Sequence, residues 1–516
     1  MNKKTRFLVS LLLVTMLFLT SCGSNNANTG NKEEIVDSKK DSLNFAFIAE
    51  TKELDPHKSS DTLTYIILSQ IFDTLIKIEP DGTLTPALAD EWEFSDDGKE
   101  ITLAIKQGVK FHNGDILTTE DVAYSLNRAI DSSYTSKFTA VMESAEVIDE
   151  TYVKLVLKDT YGPILYCLTN PSISIVSKKA VEEAGDTFGT NPIGTGPYKY
   201  VDWISGERVV LTRFDDYFKG AAAIKDVNFR FITDTTSAAV ALESGEIDIL
   251  HNPSKSDKQA QVDNPNLEYY ETDSAYYYHI SMNNQSGPFA DKKVREAVSY
   301  AINREDIIIG GLDGNGSPVE VPMPPAAFGY DPEFKHNPYD PEKAKQLLAE
   351  AGYPNGFTAS FKINQAPMYS NPSQVIQQQL REVGINAELE LMERAAYLDD
   401  VTRNFNYDIS LYVITALIPD ADYVAYTRLH SSMLGNGNNF TQTNIPELDE
   451  ALDIGRYSLD DNERIEAYKK VNQIVKDELP VIPLMTGKYA IVANKDLRGV
   501  QPSTVDFHYV HDYYWE

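Results

Sequence analysis

The sequence predicts a mixed α/β or α+β protein with several domains, and three observations support this fold class. Residues 101–105 and 153–157 place apolar side chains at alternate positions, which is the period of a β-strand. Residues 291–303 and 340–352 instead carry apolar side chains at helical spacing. The chain has 516 residues, 42% of them hydrophobic and 24% charged, so it is long enough for about two to four domains with their own cores.

Three helices are predicted in the C-terminal half of the chain. The first spans 291–303. In the second, over 340–352, Asp340 can cap the first turn and Gly352 suits the end. The third is predicted over 372–384, with three apolar residues facing inward.

Residues 1–21 are predicted to be a secretion signal. A positively charged start precedes an apolar run over 7–19, which is too short to span a bilayer. The run ends in Leu-Thr-Ser-Cys-Gly, which resembles a bacterial lipobox, so Cys22 is predicted to carry a lipid after cleavage. An ordinary cleaved signal with a chance cysteine is the alternative.

Residues 22–42 are mostly small, polar or charged, and they are predicted to form a flexible tether. The protein would then lie outside the cytoplasm of a bacterium, attached to the cell membrane only through its lipid anchor. The other cysteine, Cys167, lies among apolar residues and is predicted to be buried.

The charge of the chain argues against two classes of partner. Lys and Arg number 46 and Asp and Glu number 77, which gives a formal net charge of −31. Nucleic acids require a basic face, so no nucleic-acid partner is predicted. Electrostatic docking on anionic lipid is disfavoured for the same reason.

The sequence contains no motif for catalysis, and no catalytic residue, metal site or cofactor is predicted. P-loop, G-x-S-x-G and H-E-x-x-H patterns do not occur in the sequence. His508 and His511 are three residues apart, but their segment is predicted to be extended, where they would point to opposite faces. A secreted hydrolase is therefore the least favoured function class.

Two groups of residues are candidates for ligand contacts. Asp420 and Asp422 follow an apolar run over 409–418, which is predicted as a strand, and strand exits often carry binding residues. Alternatively, the two aspartates hydrogen-bond a turn or cap the next helix. Tyr276 and Tyr278 belong to an aromatic run that could line a cavity, although most strand tyrosines pack on a half-buried sheet.

A series of short segments occurs in an order that is typical of one protein family. In chain order they include 54–56, 71–75, 86–92, 108–115, 119–125, 194–198, 216–218, 241–248, 294–298, 301–304 and 339–352. Together they resemble extracytoplasmic solute-binding protein family 5, the dipeptide-, oligopeptide- and nickel-binding lipoproteins of ABC importers. The resemblance covers nearly the whole mature chain.

The resemblance implies a two-lobed clamp, the periplasmic-binding-protein-like fold of type II in its large cluster C form. The implied boundaries are 43–280 plus 486–516 for lobe I, about 81–190 for an extra subdomain in lobe I, and 281–485 for lobe II. The crossings near Ser281 and Met485 would then be the hinges of closure.

The resemblance also implies a monomer that works by binding and not by catalysis. It would enclose a small peptide or peptide-like solute between its lobes and deliver it unaltered to an ABC permease with its ATPase subunits. Non-peptide solutes (nickel chelates, oligosaccharides, opine-like compounds) and a role as an extracellular sensor on the same scaffold remain alternatives.

Two charged positions of peptide-binding members are not matched in this sequence. An aspartate that pairs with the peptide amino group is expected after the strand 408–414, where this chain has Thr415. An arginine for the terminal carboxylate is expected ahead of the helix 372–384, where residues 365–368 contain none. Since an enclosed charge without a partner is costly, an uncharged or modestly cationic ligand is expected, or a longer peptide bound through its backbone.

Nine residues are predicted to contact the ligand. Ser60 and Thr62 would act from lobe I, and Tyr276 and Tyr278 from near the hinge. The contacts from lobe II would be Tyr397, Thr415, Asp420, Asp422 and Tyr426.

Overall fold

The computed structural model describes residues 40–435 and 438–516. The predicted signal over 1–21, the lipidation site at Cys22 and the tether as far as residue 39 lie outside the described residues. Within the described part, no helix combines the length and the apolar character that a membrane crossing requires.

The strands of the described residues are numbered here in chain order. They are β1 (Ser42–Phe47), β2 (Ile76–Ile78), β3 (Leu84–Pro86), β4 (Ala89–Phe94), β5 (Glu100–Ile105), β6 (Met142–Val147), β7 (Tyr152–Leu157), β8 (Tyr198–Ile204), β9 (Arg208–Arg213), β10 (Asp226–Phe231), β11 (Ile249–His251), β12 (Leu267–Met282), β13 (Gly316–Pro318), β14 (Phe357–Asn364), β15 (Ile385–Met392), β16 (Ile409–Thr415), β17 (Val481–Asn494), β18 (Leu497–Arg498) and β19 (Tyr514–Trp515).

The α-helices are numbered in the same way. They are α1 (Thr62–Ile71), α2 (Thr119–Asp131), α3 (Ser136–Thr139), α4 (Ile164–Cys167), α5 (Lys178–Ala184), α6 (Thr235–Glu243), α7 (Lys258–Asp263), α8 (Lys292–Ala301), α9 (Arg304–Leu312), α10 (Pro341–Glu350), α11 (Pro367–Glu382), α12 (Arg394–Tyr397), α13 (Thr427–Leu429), α14 (Pro446–Tyr457) and α15 (Asp461–Glu478). Two π-helical turns span Leu398–Arg403 and Asp422–Tyr426.

One large mixed sheet connects the two halves of the molecule. Its strand order is β15-β14-β16-β12-β17-β11-β1-β10-β9-β8, and β13 pairs with β17 outside this order. We call the half built on β1 lobe I and the half built on β14, β15 and β16 lobe II. This mixed α/β, two-lobed architecture confirms the predicted fold class.

Lobe I has an aromatic core beneath its part of the sheet. Phe45 and Phe47 of β1 stack with ring centroids 4.8 Å apart, and Phe229 of β10 packs against both. Burial of each such side chain contributes about 1.5–3 kcal/mol to stability. A separate sheet in the order β4-β5-β7-β6 covers a second core of lobe I, which contains the buried Cys167.

Lobe II is a parallel α/β unit. The strands β14, β15 and β16 run parallel to one another. Strands of this kind are hydrophobic on both faces because helices cover them, and here Phe361, Ile363 and Leu411 join a core with residues of α8, α10 and α11. Since the strands are parallel, their carboxyl ends lie at one edge of the sheet.

The strands β12 and β17 pass from one lobe to the other. Their pairing is irregular between Asp273 and Tyr277, and Ser274 and Thr486 hydrogen-bond each other there through their hydroxyls at 3.0 Å. A Cβ atom on Gly487 would lie 2.0 Å from the Tyr276 hydroxyl, so a larger residue at this crossing would force the Tyr276 ring to move. Ser281, where the first crossing was expected, pairs with residues of β16 and β17 within lobe II.

Most of the elements predicted from local patterns are present. The runs 101–105 and 153–157 form β5 and β7, and the first two predicted helices are α8 and α10. Asp340 accepts a hydrogen bond from the Lys343 N–H at 2.9 Å, as expected of a cap.

Three local predictions differ from the structure in their bounds or in part of their length. The helix expected from 372 begins at Pro367, because a proline also suits the first helical position, and Pro372 lies inside it. The strand expected over 409–418 ends at Thr415. The segment expected to be extended around His508 contains a helical turn at Val510–Asp512.

Candidate functional site

The candidate site is a cleft between the lobes, where two cavities adjoin. The larger, which we call the cleft cavity, has a volume of about 510 Å³ and is partly open to solvent. It is lined by Asn364, Met368, Tyr369, Arg394, Tyr397, Leu398, Tyr412, Val413, Ile414, Thr415, Leu417, Tyr423, Thr427, Arg428 and Asn438. The smaller, which we call the bridging cavity, has a volume of about 30 Å³, enough for one or two water molecules.

The bridging cavity joins the lobes. Its lining includes Thr62, Tyr65, Thr169, Asn170, Tyr489, Val505 and Phe507 from lobe I, and Ala275, Thr415, Ala416, Leu417 and Pro419 from the crossing and lobe II. Thr415 and Leu417 line both cavities. The two cavities therefore adjoin at these two residues, and the bridging cavity has walls from both lobes.

The topology of lobe II explains the position of the cleft. Asn364 ends β14, Arg394 follows β15, and Thr415 ends β16. Ligands of open α/β sheets bind outside the carboxyl ends of the parallel strands, where the loops converge. The cleft cavity lies at this edge.

Tyrosines form much of the cleft cavity, and burial favours the neutral hydroxyl group in three of them. The Tyr397 hydroxyl hydrogen-bonds the Ser410 Oγ at 2.9 Å and the Leu411 carbonyl at 3.1 Å. Burial raises the pKa of Tyr397, and it also raises the pKa of Tyr369 and Tyr423. The rings supply apolar area, and the neutral hydroxyls supply hydrogen bonds.

Asp420 is held by a buried ion pair within lobe II. Its Oδ2 lies 2.6 Å from the Arg464 Nη2, and the Tyr468 hydroxyl donates to its Oδ1 at 3.2 Å. Burial alone would lower the pKa of the Arg464 guanidinium. The neighbouring Asp420 carboxylate outweighs this effect, so the pKa is raised. This pair stabilises the turn that follows β16.

Asp422 forms a contact between the lobes. The Tyr161 hydroxyl of lobe I donates to its Oδ2 at 2.9 Å, and the Arg456 Nε lies 3.0 Å from its Oδ1. The Gly162 N–H donates to the Arg456 carbonyl at 2.8 Å, and the Arg456 guanidinium lies 3.6 Å from the centre of the Tyr426 ring. These contacts hold the lobes together beside the cleft.

The structure places the nine predicted contact residues in different surroundings. Thr62, Tyr397 and Thr415 line the cleft. Tyr276 lines a separate cavity beside the crossing, and Tyr278 is buried in the core of lobe II. Ser60 is exposed and lines neither cleft cavity, whereas Asp420, Asp422 and Tyr426 belong to the ion-pair cluster described above.

Sequence reasoning did not find the charged residues of the cleft. Arg394 and Arg428 line the cleft cavity, and no aspartate or glutamate of the described residues does so. Arg428 lies on the three-residue helix α13, which has no periodic pattern, so only its charge could have drawn attention to it. Tyr412 lies in the predicted strand and was a recognisable aromatic candidate.

One cluster behind the lobe I wall has metal-ligand chemistry. His251 and His508 each direct Nε2 to the Asp506 Oδ1, at 2.8 and 3.3 Å. Burial opposes the charge of Asp506, but the two imidazoles lower its pKa to about 2. The Asp506 carboxylate can accept hydrogen bonds from both rings, whereas the buried Nδ1 of His508 has no hydrogen-bond partner in the part of the chain that the structure describes. His511 lies elsewhere, against Asp512 and the Gly220 carbonyl.

Comparison with known proteins gives consistent results. The family described as "Bacterial extracellular solute-binding proteins, family 5 Middle" matches residues 83–436. Heme-binding protein A of Haemophilus influenzae is 28% identical over 509 residues, which cover 92% of this chain and 92% of that protein. Glutathione-binding protein GsiB of Escherichia coli O1:K1 / APEC is 30% identical over 465 residues, 87% of this chain and 90% of that protein.

A solved structure shares the whole architecture. It is the ABC transporter-associated periplasmic binding protein DppA from Helicobacter pylori in complex with the peptide STSA. The TM-score is 0.73 at 26% identity, and the match covers 93% of this chain and 98% of that chain.

Proposed function

Because this chain belongs to the bacterial extracellular solute-binding proteins of family 5, we propose that it captures a peptide or peptide-like solute between its lobes. It would deliver that solute unaltered to the permease of an ABC importer. The relatives described above bind heme, glutathione and a peptide, as their names state. Two of these three relatives, by their names, bind a peptide or a peptide-like solute.

The observation that carries this proposal is the cleft cavity. Ligand pockets of small solutes have volumes of about 300–1000 Å³ and combine apolar area with a few polar groups, and the tyrosine-lined cleft matches that description. The lobe I wall of the bridging cavity supplies Thr62 and Asn170, so a solute that extends from the cleft cavity to this wall would contact both lobes. A ligand that contacts both lobes favours the closed state over the open one.

The irregular pairing of β12 with β17 supports a hinge at residues 274–276 and 486–487. Few backbone torsions need to change there for the lobes to separate. Opening would break the hydrogen bond between Tyr161 and Asp422, which supports a role of Asp422 and Tyr426 in closure. Thr62, Tyr397 and Thr415 are then the predicted residues that we propose contact the solute.

Thermal denaturation with candidate solutes tests the proposed capture. A solute present at 100 times its Kd should stabilise the protein by about 2.7 kcal/mol and raise its Tm. Di- and tripeptides, glutathione, heme, nickel chelates and oligosaccharides would be compared, after native mass spectrometry of the purified protein for a retained solute. We expect the largest shift from a peptide or peptide-like compound.

Two tryptophan variants provide the control. Thr415→Trp fills the cleft and should abolish the shift, whereas Thr358→Trp changes an exposed residue of β14 and should retain it. Stabilisation only by nickel chelates or sugars, or a shift that survives in Thr415→Trp, would contradict peptide capture in the cleft.

We further propose that Cys22 anchors the protein to the membrane through a lipid. The lipobox-like sequence before Cys22 supports this attachment. Cys22→Ala should release the full-length protein from washed membranes, and Cys167→Ala should not, because Cys167 is a buried core residue. Unchanged membrane attachment of Cys22→Ala would refute the anchor.

A further inference from the structure

The charge of the cleft is opposite to that of the chain. The chain has a formal net charge of −31, with 77 acidic and 46 basic residues. The described lining of the cleft cavity nevertheless contains two arginines and no acidic residue, and the bridging cavity is lined by uncharged residues only. A concave site lined by one sign of charge concentrates the opposite sign of ligand.

Arg428 is positioned by aromatic rings. It is half-buried, and its guanidinium lies 4.8 Å from the centre of the Tyr412 ring and 5.8 Å from that of Phe440. Its Nη1 also approaches the Asn438 carbonyl at 3.5 Å. Stacking on aromatic rings orients a guanidinium, whose planar fork of N–H donors matches the geometry of a carboxylate.

Arg394 lies at the rim of the same cavity, as the first residue of α12. It is exposed, and no carboxylate of the described residues lies within ion-pair distance of it. The acidic residues next to it have other partners, since Glu393 accepts from the Ala395 N–H at 2.8 Å. Asp399 pairs with Arg403, and Asp400 pairs with Lys362.

We propose that the solute captured in the cleft is an anion whose carboxylate is held by Arg428, with Arg394 attracting it at the rim. This inference rests on the proposed function and specifies its substrate class. It is opposite to the uncharged or modestly cationic ligand expected from the sequence. The expectation from the sequence differed because it considered only the positions at which the family resemblance places a charged clamp. Both arginines lie outside those positions.

Matched peptides test the charge of the ligand. Isothermal titration would compare tripeptides that contain glutamate and a free carboxyl terminus with counterparts that contain glutamine and an amidated terminus. We expect the acidic peptides to bind at least about 10-fold more tightly, since hydrogen bonds to charged groups are the stronger ones. Equal or tighter binding of the amide peptides would refute this inference and leave peptide capture intact.

Variants of Arg428 test the contact. Arg428→Gln should weaken binding of the acidic peptides by about 10- to 100-fold and change binding of the amide peptides little. Arg428→Lys keeps the charge and should recover part of the loss, while Arg381→Gln, at an exposed position of α11, is the control. An equal loss of affinity for both peptide sets, or no loss for either, would refute the role of Arg428. If the wild-type protein bound neither set, both the anionic ligand and peptide capture would be refuted.

Discussion

Replacement of Asp420 with alanine is expected to lower the free energy of unfolding by about 3–5 kcal/mol, because Arg464 would keep a buried charge without its partner. The Asp420 side chain is fully buried and that of Arg464 is 1% exposed. Arg464 also donates from Nε to the Gly455 carbonyl at 2.8 Å, which fixes its position. Urea unfolding followed by circular dichroism measures the change.

An exposed ion pair is the matched control for this prediction. Glu342 and Lys345 form such a pair on α10, at 2.7 Å, and Glu342→Ala should cost less than about 1 kcal/mol. If Asp420→Ala costs no more than Glu342→Ala, Asp420 does not stabilise lobe II in the way its geometry indicates. A large loss of stability in Asp420→Ala would also explain any loss of solute binding, so binding is measured only on the folded fraction.

The two aspartates show what sequence patterns could not reveal about the site. Their position after a strand correctly indicated a turn beside the cleft, but their partners are distant in sequence. Asp422 pairs with Arg456, 34 residues later, and Asp420 with Arg464, 44 residues later. Only the packing of α14 and α15 against the turn brings these charges together, and nothing in the local sequence records that packing.

Local features were the ones that could be predicted. The helices α8 and α10 and the strands β5 and β7 follow from periodicity and capping, which involve residues within a few positions of each other. The start of α11 could not be chosen locally, because Pro367 and Pro372 both suit a first turn. The lining of the cleft depends on loops from three strands, so Arg394 and Arg428 became candidates only in the folded chain.

Lowering the pH is expected to destabilise the protein strongly between pH 7 and pH 5, because several histidines are held in neutral form, His57, His279 and His336 among them. Burial, with the nearby Arg128, lowers the pKa of His57 to about 4. Burial lowers the pKa of His279 to about 3, with Arg428 nearby, and that of His336 to about 3, with Arg304 nearby. In the unfolded chain each imidazole titrates near 6.5.

The sign follows from which state binds the protons. Below about pH 6.5 the unfolded chain protonates these three histidines, whereas the folded protein keeps them neutral. The stability that they contribute is therefore complete above that pH and is lost as the pH falls toward 3–4. At pH 5 the loss is about 2 kcal/mol for each histidine and about 6 kcal/mol together. His511, whose pKa is raised by its hydrogen bond to Asp512, opposes this trend, as do Asp73 and Asp420, whose pKa values are raised by burial. The lowered pKa values of His112 and His508 add to the trend.

The measurement is urea unfolding at several pH values from 8 to 5, with two variants. His279 stacks on Tyr277 at 5.2 Å, and its Nδ1 has no hydrogen-bond partner among the described residues. His279→Phe keeps a ring in this place and should reduce the loss between pH 8 and pH 5 by about 2 kcal/mol, because one proton is no longer taken up on unfolding. His511→Gln should not reduce the loss. If His279→Phe shows the same pH dependence as the wild-type protein, His279 is not the buried neutral base that its surroundings require.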